Sequence, residues 1–234
     1  MNGSHRVGGA SLALCAAIGL AALALAVPSL TSAYVSRIAS RVYPWHSDRL
    51  TLEIPADVHF RPGPHWHLTV RAPERTLKYV IVENGRIRAK PHACFSLIPL
   101  CIGYGTHIDH SVHVELTGPA LRDIKIEGAA KIDLDGIHQD RLDLKIDGSA
   151  RVRGTGSVGE LLVAIDGTGR IDLARLTETD ASVRIAGAGT VDIAPTKRVM
   201  VHIDGAGEVR LHSNPALVIR HIDGAGEVIR VAPG

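Results

Sequence analysis

The chain has 234 residues, with 26 Lys and Arg against 24 Asp and Glu for a net charge of +2, and only 3 % aromatic residues. Basic and acidic residues are interspersed, with no basic block and no aromatic-interleaved patch, which excludes the usual footprint of a nucleic-acid-binding protein. The length suits one elongated domain behind a leader.

Residues Ala10 to Val27 form an apolar, alanine-rich run that follows Arg6 and ends at Pro28. It is long for the apolar core of a signal peptide and short for a comfortable membrane span. Thr31-Ser32-Ala33 and Ala24-Leu25-Ala26 offer small-residue cleavage sites, and Arg37 and Arg41 just beyond disfavour an anchor whose N-terminus stays inside. Residues 1–33 are therefore expected to be a signal peptide or a retained inner-membrane anchor, with segment 10–27 as the only part touching a membrane. Cys15 follows Leu14 rather than the small residue that a lipoprotein signal needs, so lipidation is not expected. The remainder is expected to be exported to the periplasm or cell envelope. Residues 34–47 read as a linker.

From residue 48 to 120 the pattern is strand-like but irregular. TLEI from Thr51 and HLTV from His67 alternate, and YVIVENGRIRA from Tyr79 carries Asn84-Gly85, a hairpin signal. These residues are expected to form irregular capping coils, or distorted first rungs, because an array of repeats needs an atypical end to cover its sticky edge. Cys94 and Cys101 bracket the apolar stretch FSLIPL. In an oxidising envelope a disulfide closing this loop is expected to contribute about 2 kcal/mol, the alternative being two buried free thiols.

Residues 121–231 repeat. IEGAAKI at Ile126 is followed by IDGSARV at Ile146, IDGTGRI at Ile165, IAGAGTV at Ile185 and IDGAGEV at both Ile203 and Ile222. The starting positions give steps of 20, 19, 20, 18 and 19 residues. A period of this size stacks one supersecondary unit on itself. The leading Ile is constant, and six residues later stand Ile132, Val152, Ile171, Val191, Val209 and Val228. Such alternation, rich in β-branched residues, marks strands buried on one side. Gly128, Gly148, Gly167, Gly187, Gly205 and Gly224 form an invariant column, expected at the corners of the coil, where backbone must approach backbone. A second small column holds Ala130, Ala150, Gly169, Gly189, Gly207 and Gly226.

The expected fold is thus all-β, a single-stranded parallel β-helix, right-handed by the usual crossover preference. Six rungs ~4.8 Å apart give a stack of roughly 29 Å. A left-handed hexapeptide helix is the alternative, weakened by the uneven steps. No aromatic residue occurs from Ile124 onward, as suits a narrow lumen of stacked aliphatics. Outside it, a basic column (Lys125, Lys145, Ala164, Arg184, His202, His221) runs beside an acidic one (Glu127, Asp147, Asp166, Ala186, Asp204, Asp223), which relieves the repulsion within each ladder.

The aliphatic-x-G-x-G-x-aliphatic rungs, entered through VHVELTGPALRDIKIEGAA from Val112 to Ala130, resemble the putative auto-transporter adhesin head GIN domain family. The resemblance runs over roughly residues 48 to 231. Ala129-Ala130 and Ser149-Ala150 depart from it, since the family tends towards a second glycine there. The resemblance implies a bacterial cell-envelope β-helix.

Four chemical readings compete. Thirteen histidines include His65 and His67 on one strand face, His107, His110 and His113 at intervals of three, and His202 stacked over His221. Such pairs can hold zinc or copper, but structural or solvated histidines are the expectation. The Asp-Gly pairs at Asp147, Asp166, Asp204 and Asp223 invite a calcium reading. Calcium-binding β-roll repeats are nine residues long with Asp after two glycines, so capping aspartates are expected instead. Polysaccharide-active β-helices place carboxylates and basic groups on an outer face, yet here those groups recur in every rung. No catalytic residue, metal ligand or cofactor is therefore expected. A non-enzymatic binding or structural module is, with an envelope protein or a glycan as partner; an accessory protein acting through strand-edge contacts is the alternative.

Overall fold

The computed structural model describes residues 37–90 and 112–231. Segment 10–27, Cys94, Cys101, His107 and His110 lie outside the described residues. The described residues belong to one compact unit.

Its core is a β-solenoid of about five turns. Strands β1 (Ile38–Tyr43), β2 (Arg49–Leu52), β3 (Ala56–Pro62) and β4 (His67–Pro73) precede a short helix, α1 (Glu74–Leu77). Then come β5 (Val80–Glu83), β6 (Arg86–Ala89), β7 (His113–Gly118) and β8 (Asp123–Ile126). Four long strands follow: β9 (Ala129–Ile146), β10 (Ser149–Ile165), β11 (Thr168–Ile185) and β12 (Ala188–Ile203). The chain closes with β13 (Ala206–Leu211), β14 (Leu217–Ile222) and β15 (Ala225–Arg230).

Strands β9 to β12 run to 16–18 residues, well beyond an ordinary strand. Each is one coil that bends around the lumen while staying bonded in parallel to the coils above and below. The register joins the repeats position for position: Ile126↔Ile146, Ile146↔Ile165, Ile165↔Ile185, Ile185↔Ile203 and Ile203↔Ile222. Burial follows from it. The leading Ile from residue 126 to 203 has no solvent exposure, and Ile132, Val152, Ile171, Val191 and Val209 are equally closed. Unequal steps are absorbed where the register slips, between Arg153 and Thr155 on β10 and between Asp172 and Thr177 on β11. These bulges sit away from the glycine corners and so leave the apolar columns aligned.

The solenoid begins earlier than its visible repeats. β2 pairs in parallel with β8, and β3 with β9, so residues 49–62 already form a coil. Beyond it the pairing changes sense. β4 runs antiparallel to β7 and β1 antiparallel to β4, while β5 and β6 form an antiparallel hairpin through Asn84 and Gly85. Gly85 has φ +86, the left-handed conformation that such a turn needs.

The stretch read as a linker, 34–47, instead contains β1 and the buried Trp45, whose indole N–H donates to the Ser47 carbonyl at 2.7 Å. Ile38 and Val42 point outward, 75 % and 65 % exposed, while Ala39 and Tyr43 pack on the core.

Candidate binding groove and the polar ladders

The second small column forms the floor of a groove of about 960 Å³ that crosses the rungs. Its positions lie in register from Ala130 through Ala150, Gly169, Gly189 and Gly207 to Gly226. Larger residues do not fit: a Cβ on Gly207 would stand 2.8 Å from Cδ1 of Ile185, and one on Gly226 2.8 Å from Cγ2 of Ile203. Small residues here let the leading isoleucines fill the lumen, and the outer surface sinks as a consequence.

One rim of the groove is a single register column: Lys131, Arg151, Arg170, Thr190, Glu208 and Glu227. Its charge changes from basic to acidic along the stack. Lys131 lies 3.6 Å from Asp133, and Glu208 binds Arg210 through two contacts of 2.6 and 3.0 Å. Arg151 and Arg170 face outward on adjacent rungs, with no ion pair to any described residue. Arg153, two residues along the same face, joins them around an adjoining polar cavity of about 550 Å³ that also reaches Asp172 and Asp192. Like charges one rung apart repel.

The basic and acidic columns read from the sequence do meet. Lys125 pairs with Glu127 of its own rung and lies 3.5 Å from Asp147 of the next, and Lys145 lies 3.4 Å from Asp147 and 3.8 Å from Asp166. Arg184 reaches forward to Asp204 at 2.6 Å. In the last two rungs histidines stand in this column: His202 Nε2 is 2.7 Å from Asp204, and His221 Nε2 is 2.8 Å from Asp223. Of the other histidines singled out, His67 meets the Thr69 hydroxyl at 3.1 Å and His113 lies 3.6 Å from Asp57.

The six glycines of the invariant column sit at the bends between strands. Their conformations are not left-handed: positive φ occurs among the described glycines only at Gly85, Gly136 and Gly156. Proximity is what constrains them. A Cβ on Gly148, Gly167, Gly187 or Gly205 would stand 2.0 Å from the carbonyl oxygen of the glycine one rung below.

Sequence reasoning passed over Glu178. It is fully buried, its Oε2 accepts a hydrogen bond from the Ala194 N–H at 2.9 Å, and its Oε1 has no partner. Burial pushes its pKa up to about 8, against the smaller opposing effect of the hydrogen bond from Ala194. The register places it in line with Val158 and Pro195. With no access to solvent, Glu178 is a group of the core and not of the groove.

The family model for the putative auto-transporter adhesin, head GIN domain matches residues 48–215, and the chain belongs to that family. The crystal structure of a putative adhesin from Bacteroides fragilis superposes with a TM-score of 0.60 at 13 % identity, covering 83 % of this chain and 97 % of the other. A putative adhesin from Parabacteroides distasonis gives a TM-score of 0.46 at 16 % identity, covering 84 % and 98 % of the two chains. A putative lipid binding protein from the same organism gives 0.43 at 16 % identity, covering 84 % and 97 %. Of these likenesses the first speaks for the fold, and for the fold alone. Among curated proteins none matches the sequence.

Proposed function

We propose that the protein is a non-enzymatic binding module of the bacterial cell envelope that holds an extended anionic polymer, an acidic glycan, along the groove. The observation that carries this reading is the pair Arg151 and Arg170, without an ion pair among the described residues and one rung apart on the rim of a long groove with a floor of small residues. A guanidinium presents a planar fork that fits carboxylate, sulfate or phosphate through two parallel hydrogen bonds. A polymer lying along the basic part of the rim would meet a guanidinium on each of these two adjacent rungs. The repeats carry no aromatic residue to stack on a sugar face, so recognition rests on charge and shape.

Binding of the full-length protein to a panel of acidic and neutral glycans tests the reading. Acidic glycans are expected to bind, with affinity falling as salt rises, and Arg151→Ala with Arg170→Ala is expected to remove the binding. Equal binding to neutral glycans, or no effect of the double substitution, overturns it.

Export is part of the same proposal: segment 10–27 directs the chain across the inner membrane, and Cys94 and Cys101 pair in the oxidising compartment. N-terminal sequencing of envelope-derived protein and intact mass with and without reductant check both points. A second reading, strand-edge contact with another envelope protein, is favoured by β1. Among the described residues it pairs only with β4, and it leaves Ile38 and Val42 exposed on its outer face. Capture of one envelope protein that Val42→Lys abolishes, with no glycan bound, would support that reading instead.

A further inference from the structure

We propose that the last two rungs form a site for a divalent transition-metal ion, best matched by zinc, held by His202, Asp204 and Asp223. A ligand atom from each of the three lies within 4.8 Å of the others. Zinc takes imidazole nitrogen and carboxylate oxygen at about 2.0–2.2 Å, so side-chain adjustments of under about 1 Å bring all three onto one ion. Water can complete a four-coordinate shell.

The ladder itself explains why an ion is wanted at this point. In earlier rungs the basic column supplies permanent cations to the acidic one, as Lys125 and Lys145 do for Asp147 and Arg184 does for Asp204. The sequence then changes from Lys and Arg to His while the aspartates remain. Asp223 meets no Lys or Arg among the described residues; its neighbours in the column are imidazoles. Among the described residues Arg184 is the one Lys or Arg in contact with the stacked carboxylates of Asp204 and Asp223. A divalent ion makes up that deficit, and a neutral imidazole is the nitrogen donor that it prefers.

The surroundings hold the ligands in place. Arg184 binds Oδ2 of Asp204 and leaves Oδ1 towards His202. His221 stacks on His202 with ring centroids 5.0 Å apart and planes within 5°, and its Nε2 meets Oδ2 of Asp223 at 2.8 Å. His221 therefore acts as a positioning residue, orienting one ligand by hydrogen bond and the other by ring contact. None of the three residues lines the groove.

The test is zinc titration of tag-free, full-length protein freed of metal by chelator, followed by calorimetry, metal analysis and melting. One zinc per chain and a raised melting temperature are expected. His202→Ala and Asp223→Asn should each weaken zinc binding by at least about tenfold, and His221→Ala by about 10-fold. If His202→Ala does not fold, Asp223→Asn at the exposed end of the stack gives the same reading. Absence of zinc uptake overturns the proposal, and so does uptake that neither substitution alters, since the ion would then sit on other histidines.

Discussion

Glu178 accepts a hydrogen bond at Oε2 from the Ala194 N–H of the next coil, and its Oε1 has no partner among the described residues inside a closed core. A pKa of about 8 against an ordinary 4.5 means that the folded protein holds this proton far more tightly than the unfolded chain. Between those two values the native state binds more protons, so stability falls as pH rises and levels off above about 8. The contribution is complete below pH 4.5 and lost through the folded pKa, at about 1.4 kcal/mol per pH unit at most. Glu178→Gln keeps the shape and removes the titration. It is expected to raise the melting temperature at pH 8.5 and to flatten the pH dependence between 5 and 8. Parallel melting curves of the two proteins over that range would contradict the assignment.

At the corner, Gly205→Ala places a methyl group 2.0 Å from the Gly187 carbonyl oxygen. Rungs one strand spacing apart cannot separate without breaking the ladder, so a loss of about 1–3 kcal/mol is expected, and a larger one for Gly205→Val. Gly136 is the contrast. Nothing lies within 4 Å of its would-be Cβ, although its φ is +63. Gly136→Ala should cost only the conformational strain, about 1 kcal/mol. Denaturant unfolding of the three variants ranks them, and an unchanged midpoint for Gly205→Val would remove the close-approach argument.

The last rung carries Arg220 and Arg230 in columns that hold Val201 and Leu211 one coil earlier. They stand around a cavity of about 450 Å³ with Leu211, Val218 and Val228. Inward-pointing charge is one of the ways a strand edge is kept from pairing with another molecule. Arg220→Val with Arg230→Leu should therefore promote concentration-dependent self-association, visible by analytical ultracentrifugation. A double variant that stays as monodisperse as the parent would show that the arginines do not protect this end.

Lys145→Ala tests the ladder as a source of stability. Its contacts with Asp147 and Asp166 are 3.4 and 3.8 Å long and solvent-exposed, and such pairs are worth well under about 1 kcal/mol. A change in unfolding free energy below about 0.5 kcal/mol is expected, shrinking further in high salt. A loss several times larger would mean that the columns do more than offset their own repulsion.

Periodicity made the solenoid legible in the sequence, because each column of the alignment is a line of contact in space. Ile146 over Ile165 and Ala150 over Gly169 follow from counting residues. Where the chain departs from the period, counting fails. β1 hides because its apolar residues Ile38 and Val42 face outward. The stretch 49–62 reads from its alternation as part of an irregular capping coil, but its partners cannot be counted out, because β8 and β9 lie some 70 residues further along the chain. Glu178 was missed because it falls where the register slips, so no column of the alignment marks it as inward. Arg151 and Arg170 were visible as residues, but their lack of partners is a property of the assembled face. His202 and Asp204 lie two apart on one strand face, a spacing compatible with shared ligation, but the approach of Asp223 appears only when the rungs are stacked.

Each coil from β9 to β12 meets its neighbours through the same columns, while antiparallel strands close one end and arginines face into the other. Length is accordingly a matter of copy number. Duplicating the nineteen residues from Ile146 to Ala164 would add one more cationic position, a second Arg151, to the rim and leave both ends as they are. In a lineage that varied its rungs this way, the length of the stack and the number of cationic positions on its rim would change together.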